Sequence, residues 1–260
     1  MTKKIVAENV CKMFTSTNGP IYAVKDFNLT VDEGRFVSIV GPSGCGKSTF
    51  LRMLAGLIRP SSGKIVITPG ADPHKPLNNV VFQEYAIFPW KTVLDNVAFG
   101  LQMRGVPLKE RKAIALDWIE RVGLAKFANY YPHQISGGMK QRVSIARALA
   151  NDPEVLLMDE PLGALDAQTR NILQEQLLKI WEETRKTVIY ITHSIEEAVL
   201  LSDQVILMTA HPGTYKTSFD ITIPRPRDLK TTGTPEFAAL SYAIWESLRS
   251  EVVAAMEAQS

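Results

Sequence analysis

The chain has 260 residues, 45% hydrophobic and 22% charged, which suits one large globular domain or one domain carrying an inserted lobe. Its net charge of +2, from 29 basic and 27 acidic residues, sets up no global field toward nucleic acid, and two cysteines with four ill-spaced histidines exclude a zinc site. No apolar run approaches the roughly 20 residues of a membrane span, and no secretory apolar stretch follows Lys3 and Lys4, so a cytoplasmic protein is expected.

Residues 3–13 alternate loosely and predict an edge strand, followed by a polar loop over 15–20, a second strand over 24–31 and a tight turn at Asp32, Glu33 and Gly34. A buried strand over 36–40 leads into Gly41, Pro42, Ser43, Gly44, Cys45, Gly46, Lys47 and Ser48, which fill the pattern G-x-x-x-x-G-K-[ST], with Thr49 next and a helix after it. The chemistry of a triphosphate needs that order. Glycines at 41, 44 and 46 let successive backbone N–H groups turn inward with no Cβ in the way. Lys47 adds a cation for the outer phosphates, the helix starting near it aims its N-terminal dipole at them, and the Ser48 hydroxyl suits a Mg²⁺ ligand. Cys45 has two readings, a small loop filler or a thiol ionised by the helix N-terminus and Lys47. Phe14 and Tyr22 are upstream candidates to stack on an adenine, with core packing as the alternative; Phe14 is preferred as nearer a loop entrance.

The expected helix carries Phe50, Leu51, Leu54 and Leu57 on one face and ends at Pro60. Short strands are expected over 64–68 and 79–82. In a parallel sheet whose carboxyl ends face the ligand, Gln83 would reach Mg²⁺ or the attacking water. From 92 to 149 the pattern is helical, with Ile114, Trp118, Ile119 and Val122 on one face and Val143, Ile145, Ala146 and Leu149 on another, and it reads as a lobe inserted between two core strands. Ser136 is placed as an N-cap there, and Gly137 and Gly138 bare backbone N–H groups; the feature is either an ordinary capped helix or an anion site. Residues 155–158 form an apolar run, a buried parallel strand delivering Asp159 to hold Mg²⁺ through water and Glu160 to orient or deprotonate the hydrolytic water. A helix over 168–184 with Ile172, Leu173, Leu177, Ile180 and Trp181 inward precedes a buried strand over 187–191, and His193 just beyond it is placed as a γ-phosphate contact. Strands over 205–209 and 217–223 close the sheet, the prolines of 224–228 break regular structure, and a helix over 235–256 follows.

Together these residues resemble the nucleotide-binding subunit of an ABC transporter from about residue 4 to residue 228. The phosphate loop at 41–48, the Q-loop Gln83, the signature ISGGM at 135–139, the carboxylate strand at 155–160 and the switch His193 stand in that family's order. Ile135 and Met139 replace the Leu and Gln of the usual LSGGQ, and Gly163 replaces the Ser of the usual SALD loop. The resemblance implies an α/β P-loop NTPase fold with a mostly parallel core sheet, an antiparallel β flank and an inserted helical lobe at about 86–150. The ATPase domain would span 1–230 and a C-terminal helical extension 231–260. It implies hydrolysis of ATP with Mg²⁺, assisted by Glu160, His193 and Gln83, with Phe14 stacking on the adenine. A second ATPase chain, identical or related, would pair head to tail, so that Ser136, Gly137 and Gly138 of one chain cover the γ-phosphate held by Lys47 of the other.

Residues 81–101 and 223–228 look like the nitrate, sulfonate and taurine importer branch. Implied partners are transmembrane permease subunits and a periplasmic or extracellular solute-binding protein acting through them, at the inner face of the cell membrane; no nucleic acid is expected. The permease would dock on residues 84–98, where Tyr85, Phe88, Pro89 and Trp90 make an apolar loop whose alternative is packing within the lobe. The competing reading is a non-transport ABC-type ATPase of DNA repair or translation. Such proteins usually carry coiled-coil insertions, linked ATPase halves or basic surfaces, none evident here.

Overall fold

The computed structural model describes residues 2–16 and 19–257. In chain order its elements are β1 (Lys3–Ser16), β2 (Gly19–Asp32), β3 (Phe36–Val40), α1 (Lys47–Leu54), β4 (Ser62–Ile67), β5 (Asn78–Val81), α2 (Val93–Val97), α3 (Phe99–Met103), α4 (Leu108–Arg121) and α5 (Gly137–Ala150). They continue with β6 (Val155–Asp159), α6 (Ala167–Thr184), β7 (Thr187–Ile191), α7 (Ile195–Leu201), β8 (Gln204–Met208), β9 (Tyr215–Asp220) and α8 (Pro235–Glu257). Two compact units result, residues 1–69 with 184–260, and residues 70–183.

In the first unit β1 is the centre of an antiparallel sheet ordered β2-β1-β4, not the edge strand expected. Register shifts between Ala7 and Val10 and a positive φ at Asn9 mark a bulge, which explains why the alternation of β1 is only loose. The expected loop over 15–20 is largely strand, since β1 runs to Ser16 and β2 starts at Gly19; residues 17 and 18 lie outside the described residues. The second sheet has β3 between β7 and β8, parallel to both, with β9 antiparallel on β8. Every residue of β3 and β7 is buried, the reason these strands read as continuous apolar runs. α1 packs Phe50 against Phe27, ring centroids 4.5 Å apart. It stops at Leu54, so Leu57 lies beyond the helix and is exposed, against expectation. Short α7 was not evident in the sequence; Ser194 caps it by accepting the Glu197 N–H.

In the second unit β5 and β6 pair in parallel, and α2 to α6 supply the helices. Ala115 and Ile119 of α4 are buried, as are Val143, Ile145, Ala146 and Leu149 of α5. α6 buries Leu173, Leu177, Leu178, Ile180 and Trp181. Ile172 is 49% exposed instead of inward, because it falls about 100° round the helix from Leu173. Among the described residues no helix is long and apolar enough to cross a membrane.

Candidate nucleotide site

The first unit carries the phosphate loop. Gly46, the N-cap of α1, has φ +104°, and a Cβ there would lie 2.3 Å from the Ala23 carbonyl oxygen, so only glycine fits. Lys47 Nζ donates to the carbonyl oxygens of Gly41 and Pro42, each at 2.8 Å, and folds back across the loop it follows. Cys45 is 1% exposed, and burial pushes its thiol above the ordinary pKa although the adjacent Lys47 ammonium pulls the other way. This is the loop-filler reading; the ionised thiol is not what the environment favours.

Gly213 braces the loop and was missed in the sequence. Its N–H donates to Ala23 and its carbonyl accepts from Lys25, at 3.1 and 3.0 Å. A Cβ on it would stand 2.0 Å from the carbonyl oxygen of Cys45. Phe14 and Tyr22 both lie within strands, so Phe14 is not at a loop entrance as expected. Register pairs Phe14 with Ile21 and Met13 with Tyr22, so the two rings face opposite sides of the sheet and cannot share one stacking site. Both are partly exposed, each with a lysine ammonium over its ring, Lys12 on Phe14 and Lys25 on Tyr22.

The register pair Ile39 with Ile191 puts Gly41 and His193 each two residues past the same rung of parallel strands. Gly41, Pro42, Ser43 and His193 line one cavity of about 300 Å³, closed on another side by Leu248, Val252, Ala255 and Met256 of α8. The turn carrying His193 is fastened by a buried carboxylate that the sequence did not disclose. Glu197 accepts from the Tyr190 hydroxyl at 3.0 Å and the Thr192 hydroxyl at 2.8 Å, while Thr192 Oγ1 accepts the Ser194 N–H. At the other end of α7, Arg227 donates to the carbonyl oxygens of Val199, Leu200 and Ser202 and to those of Ile221 and Ile223. Residues 224–228, expected to break regular structure, thus also satisfy, through Arg227, carbonyls that a helix leaves open at its C-terminus.

The second unit carries the carboxylates and the signature. Val81 pairs with Met158, so Gln83 and Glu160 each stand two residues past one rung of parallel strands. Asp159 is buried at the end of β6, and Glu160 has φ +44°, a left-handed conformation costly for a residue with a side chain. That placement turns the chain at once into the 161–166 segment, where the Gly163 N–H donates to the Glu160 carbonyl at 3.1 Å. Asp166 caps α6; the Thr169 N–H holds its carboxyl below the usual range. Ser136 accepts the Met139 N–H at 3.3 Å, which leaves Gly137 and Gly138 as the first residues of α5. Phe88 packs against Phe99, ring centroids 4.6 Å apart, while Trp90 is 71% exposed, so the apolar loop divides between packing and an outward face.

Among the described residues no three His, Cys, Asp or Glu side chains cluster closely enough to hold a metal alone. The hydroxyl of Ser48, the carboxylate of Asp159 and the amide oxygen of Gln83 are hard donors, of the kind Mg²⁺ takes when phosphates and water complete its shell.

A phosphate loop between a parallel strand and a helix, with an acid-tipped parallel strand beside another, defines the class of P-loop nucleoside triphosphatases. The ABC transporter family model matches residues 24–163, and the chain belongs to that family. It is 48% identical to an uncharacterised ABC transporter ATP-binding protein of Methanocaldococcus jannaschii, over 99% of this chain and 96% of that one. It is 43% identical to the nitrate import ATP-binding protein NrtD of Synechocystis, over 95% of this chain and 96% of that protein. The bicarbonate transport ATP-binding protein CmpC of Synechocystis is also 43% identical, over 97% of this chain but 38% of that longer protein. Among solved structures, a dimeric bacterial ABC transporter cassette superposes with a TM-score of 0.74 at 36% identity, over 85% of this chain and all of that one. The same cassette in a post-hydrolysis state with ADP and phosphate gives 0.74 at 35% identity. The chain is an ATP-binding, ATP-hydrolysing subunit of the ABC transporter family.

Proposed function

We propose that this subunit powers import of a small oxyanion through a membrane permease. The observation that carries this reading is the 43% identity to a nitrate import ATP-binding protein along nearly the whole of both chains. Similarity to a bicarbonate transport protein at the same identity supports a small oxyanion over any single one. Sulfonates and taurine belong to the same proposal through residues 81–101 and 223–228.

In this reading Lys47 exchanges the carbonyls of Gly41 and Pro42 for the outer phosphates of ATP, and the loop of residues 41–48, with Thr49 after it, holds the rest through backbone N–H groups, Pro42 serving only to shape the turn. Phe14 stacks on the adenine. A second chain of the same or related kind pairs head to tail, as dimerisation of the neighbouring cassette suggests, and brings Ser136, Gly137 and Gly138 to the γ-phosphate. Ser48, Gln83 and Asp159 would hold Mg²⁺, which when bound would neutralise charge at the phosphates. Glu160 orients and deprotonates the attacking water, with His193 and Gln83 positioning water and phosphate. The pair sits on the cytoplasmic face of the membrane, docked to permease subunits that a solute-binding protein loads from outside.

Lys47→Ala is expected to abolish ATP binding in equilibrium dialysis, while Glu160→Gln keeps binding and runs as a dimer on gel filtration with Mg-ATP. A Glu160→Gln chain that stays monomeric at saturating Mg-ATP removes the sandwich. For the substrate, the tagged subunit is captured from detergent-solubilised membranes of its own cells, and ATPase of the captured complex is measured with its binding protein and nitrate, bicarbonate or taurine. Stimulation by an oxyanion supports the reading, and capture without any multi-span subunit overturns it.

A further inference from the structure

Two side chains outside the recognised motifs close on the glycine pair at the start of α5. A Cβ built on Gly137 would lie 2.7 Å from the hydroxyl oxygen of Tyr85 and 3.6 Å from its Cζ, and one on Gly138 would lie 2.5 Å from the Thr169 methyl. Both side chains therefore rest directly on the backbone of the signature turn, at a closeness only glycine permits. Thr169 belongs to the first turn of α6, which Asp166 caps.

Tyr85 comes from the loop after Gln83, and that loop is fastened to the same helices at further points. Arg147 of α5 donates to the Ala86 carbonyl at 2.8 Å, with its guanidinium 5.5 Å from the centre of the Phe88 ring. Helical side chains lean toward the N-terminus, so an arginine well down α5 reaches a loop lying near its start. Asn96 of α2, wholly buried, accepts the Phe88 N–H at 2.7 Å and donates to the carbonyls of Phe88, Lys91 and Thr92. The loop over 85–92 is thus tied to α5 and α2, and the Tyr85 phenol meets the signature turn at the bare backbone of Gly137.

We propose that Tyr85 is a positioning residue for the signature turn: its phenol, seated on Gly137, keeps Ser136, Gly137 and Gly138 in register with the loop that follows Gln83. The proposal rests on reading residues 136–138 as a phosphate-binding turn. A glycine leaves no side chain to yield between ring and backbone, so a shift of the loop moves the start of α5 with it, while Thr169 sets a second stop at Gly138. Tyr85 acts through Gly137 and not on the nucleotide.

The free chain and the ATP-loaded chain give separate readouts. In the free chain, hydrogen exchange at the Met139 and Lys140 amides, both bonded to Ser136, is expected to rise about tenfold in Tyr85→Ala and by a smaller factor in Tyr85→Phe, which keeps the ring but loses the hydroxyl that stands nearest Gly137. In a Glu160→Gln background with Mg-ATP, Tyr85→Ala is expected to weaken dimerisation about tenfold while changing ATP affinity by less than about twofold. Gly137→Ala should also weaken dimerisation, and adding Tyr85→Phe should recover most of the loss, because without the hydroxyl the nearest ring atom is Cζ at 3.6 Å, an ordinary contact. Unchanged amide exchange in Tyr85→Ala, or simple addition of the two lesions in the double variant, overturns the proposal. Failure of the Glu160→Gln parent to dimerise sinks the phosphate-turn reading instead, and the exchange measurement still decides the Tyr85 contact.

Discussion

Cys45 is a case where magnitude decides between two chemical effects on one side chain. Lys47 and the helix N-terminus favour a thiolate, but enclosure of the sulfur outweighs them and holds the thiol protonated at neutral pH. Cys45→Ala is therefore expected to keep ATP affinity within about twofold. The native thiol should react with a maleimide at pH 7 at least about tenfold more slowly than in urea, followed by mass spectrometry. Gly213 carries the opposite expectation. A methyl group there meets the Cys45 carbonyl, which is backbone and cannot rotate away, so Gly213→Ala should cost about 1–3 kcal/mol in a denaturant titration and weaken ATP binding although it touches no phosphate. These residues also show what sequence can disclose about a site. The phosphate loop is contiguous, so its spacing is the signal. Gly213, Glu197 and Arg227 act on partners set by the fold, and nothing in their neighbours marks them.

The elements were predictable where burial is simple. β3, β6 and β7 are buried at every position and appear as apolar runs within a residue of their true bounds. β1 blurred because a bulge breaks its period, and α7 escaped because six of its seven residues are buried and leave no polar face to give a helical period. α8 shows a different dependence. Its Glu251 accepts the Ala210 N–H at 2.8 Å and pairs with Lys216 at 2.8 Å, and Lys216 also donates to the Ser247 carbonyl. Burial pushes the Glu251 carboxyl up, yet Lys216 and the Ala210 N–H together hold it below its ordinary value of 4.5. A lowered carboxyl pKa adds stability that is complete above pH 4.5 and is lost as the pH falls through the lower folded value. Glu251→Gln is expected to cost on the order of 1 kcal/mol at pH 7 and progressively less as the pH falls below 4.5, measured by thermal unfolding.

Across the whole molecule, the chain enters the unit that carries the phosphate loop, leaves it for residues 70–183, and returns. Both neighbours of β3 come from the returning part, β7 and β8. A chain ending at residue 183 keeps the phosphate-loop motif but is expected to bind no ATP and to show no cooperative calorimetric transition. ATP binding by that fragment at near-parental affinity would show that the loop needs neither strand. α8 belongs to the same unit as the loop. The same arrangement sets a schedule on the ribosome. The phosphate loop emerges roughly 150 residues before the strands that flank it, about 8–30 s at ordinary rates of synthesis. During that interval the nascent chain holds the complete motif but no site, so ATP, however abundant around the ribosome, can neither bind it nor stabilise it until β7 and β8 have been made.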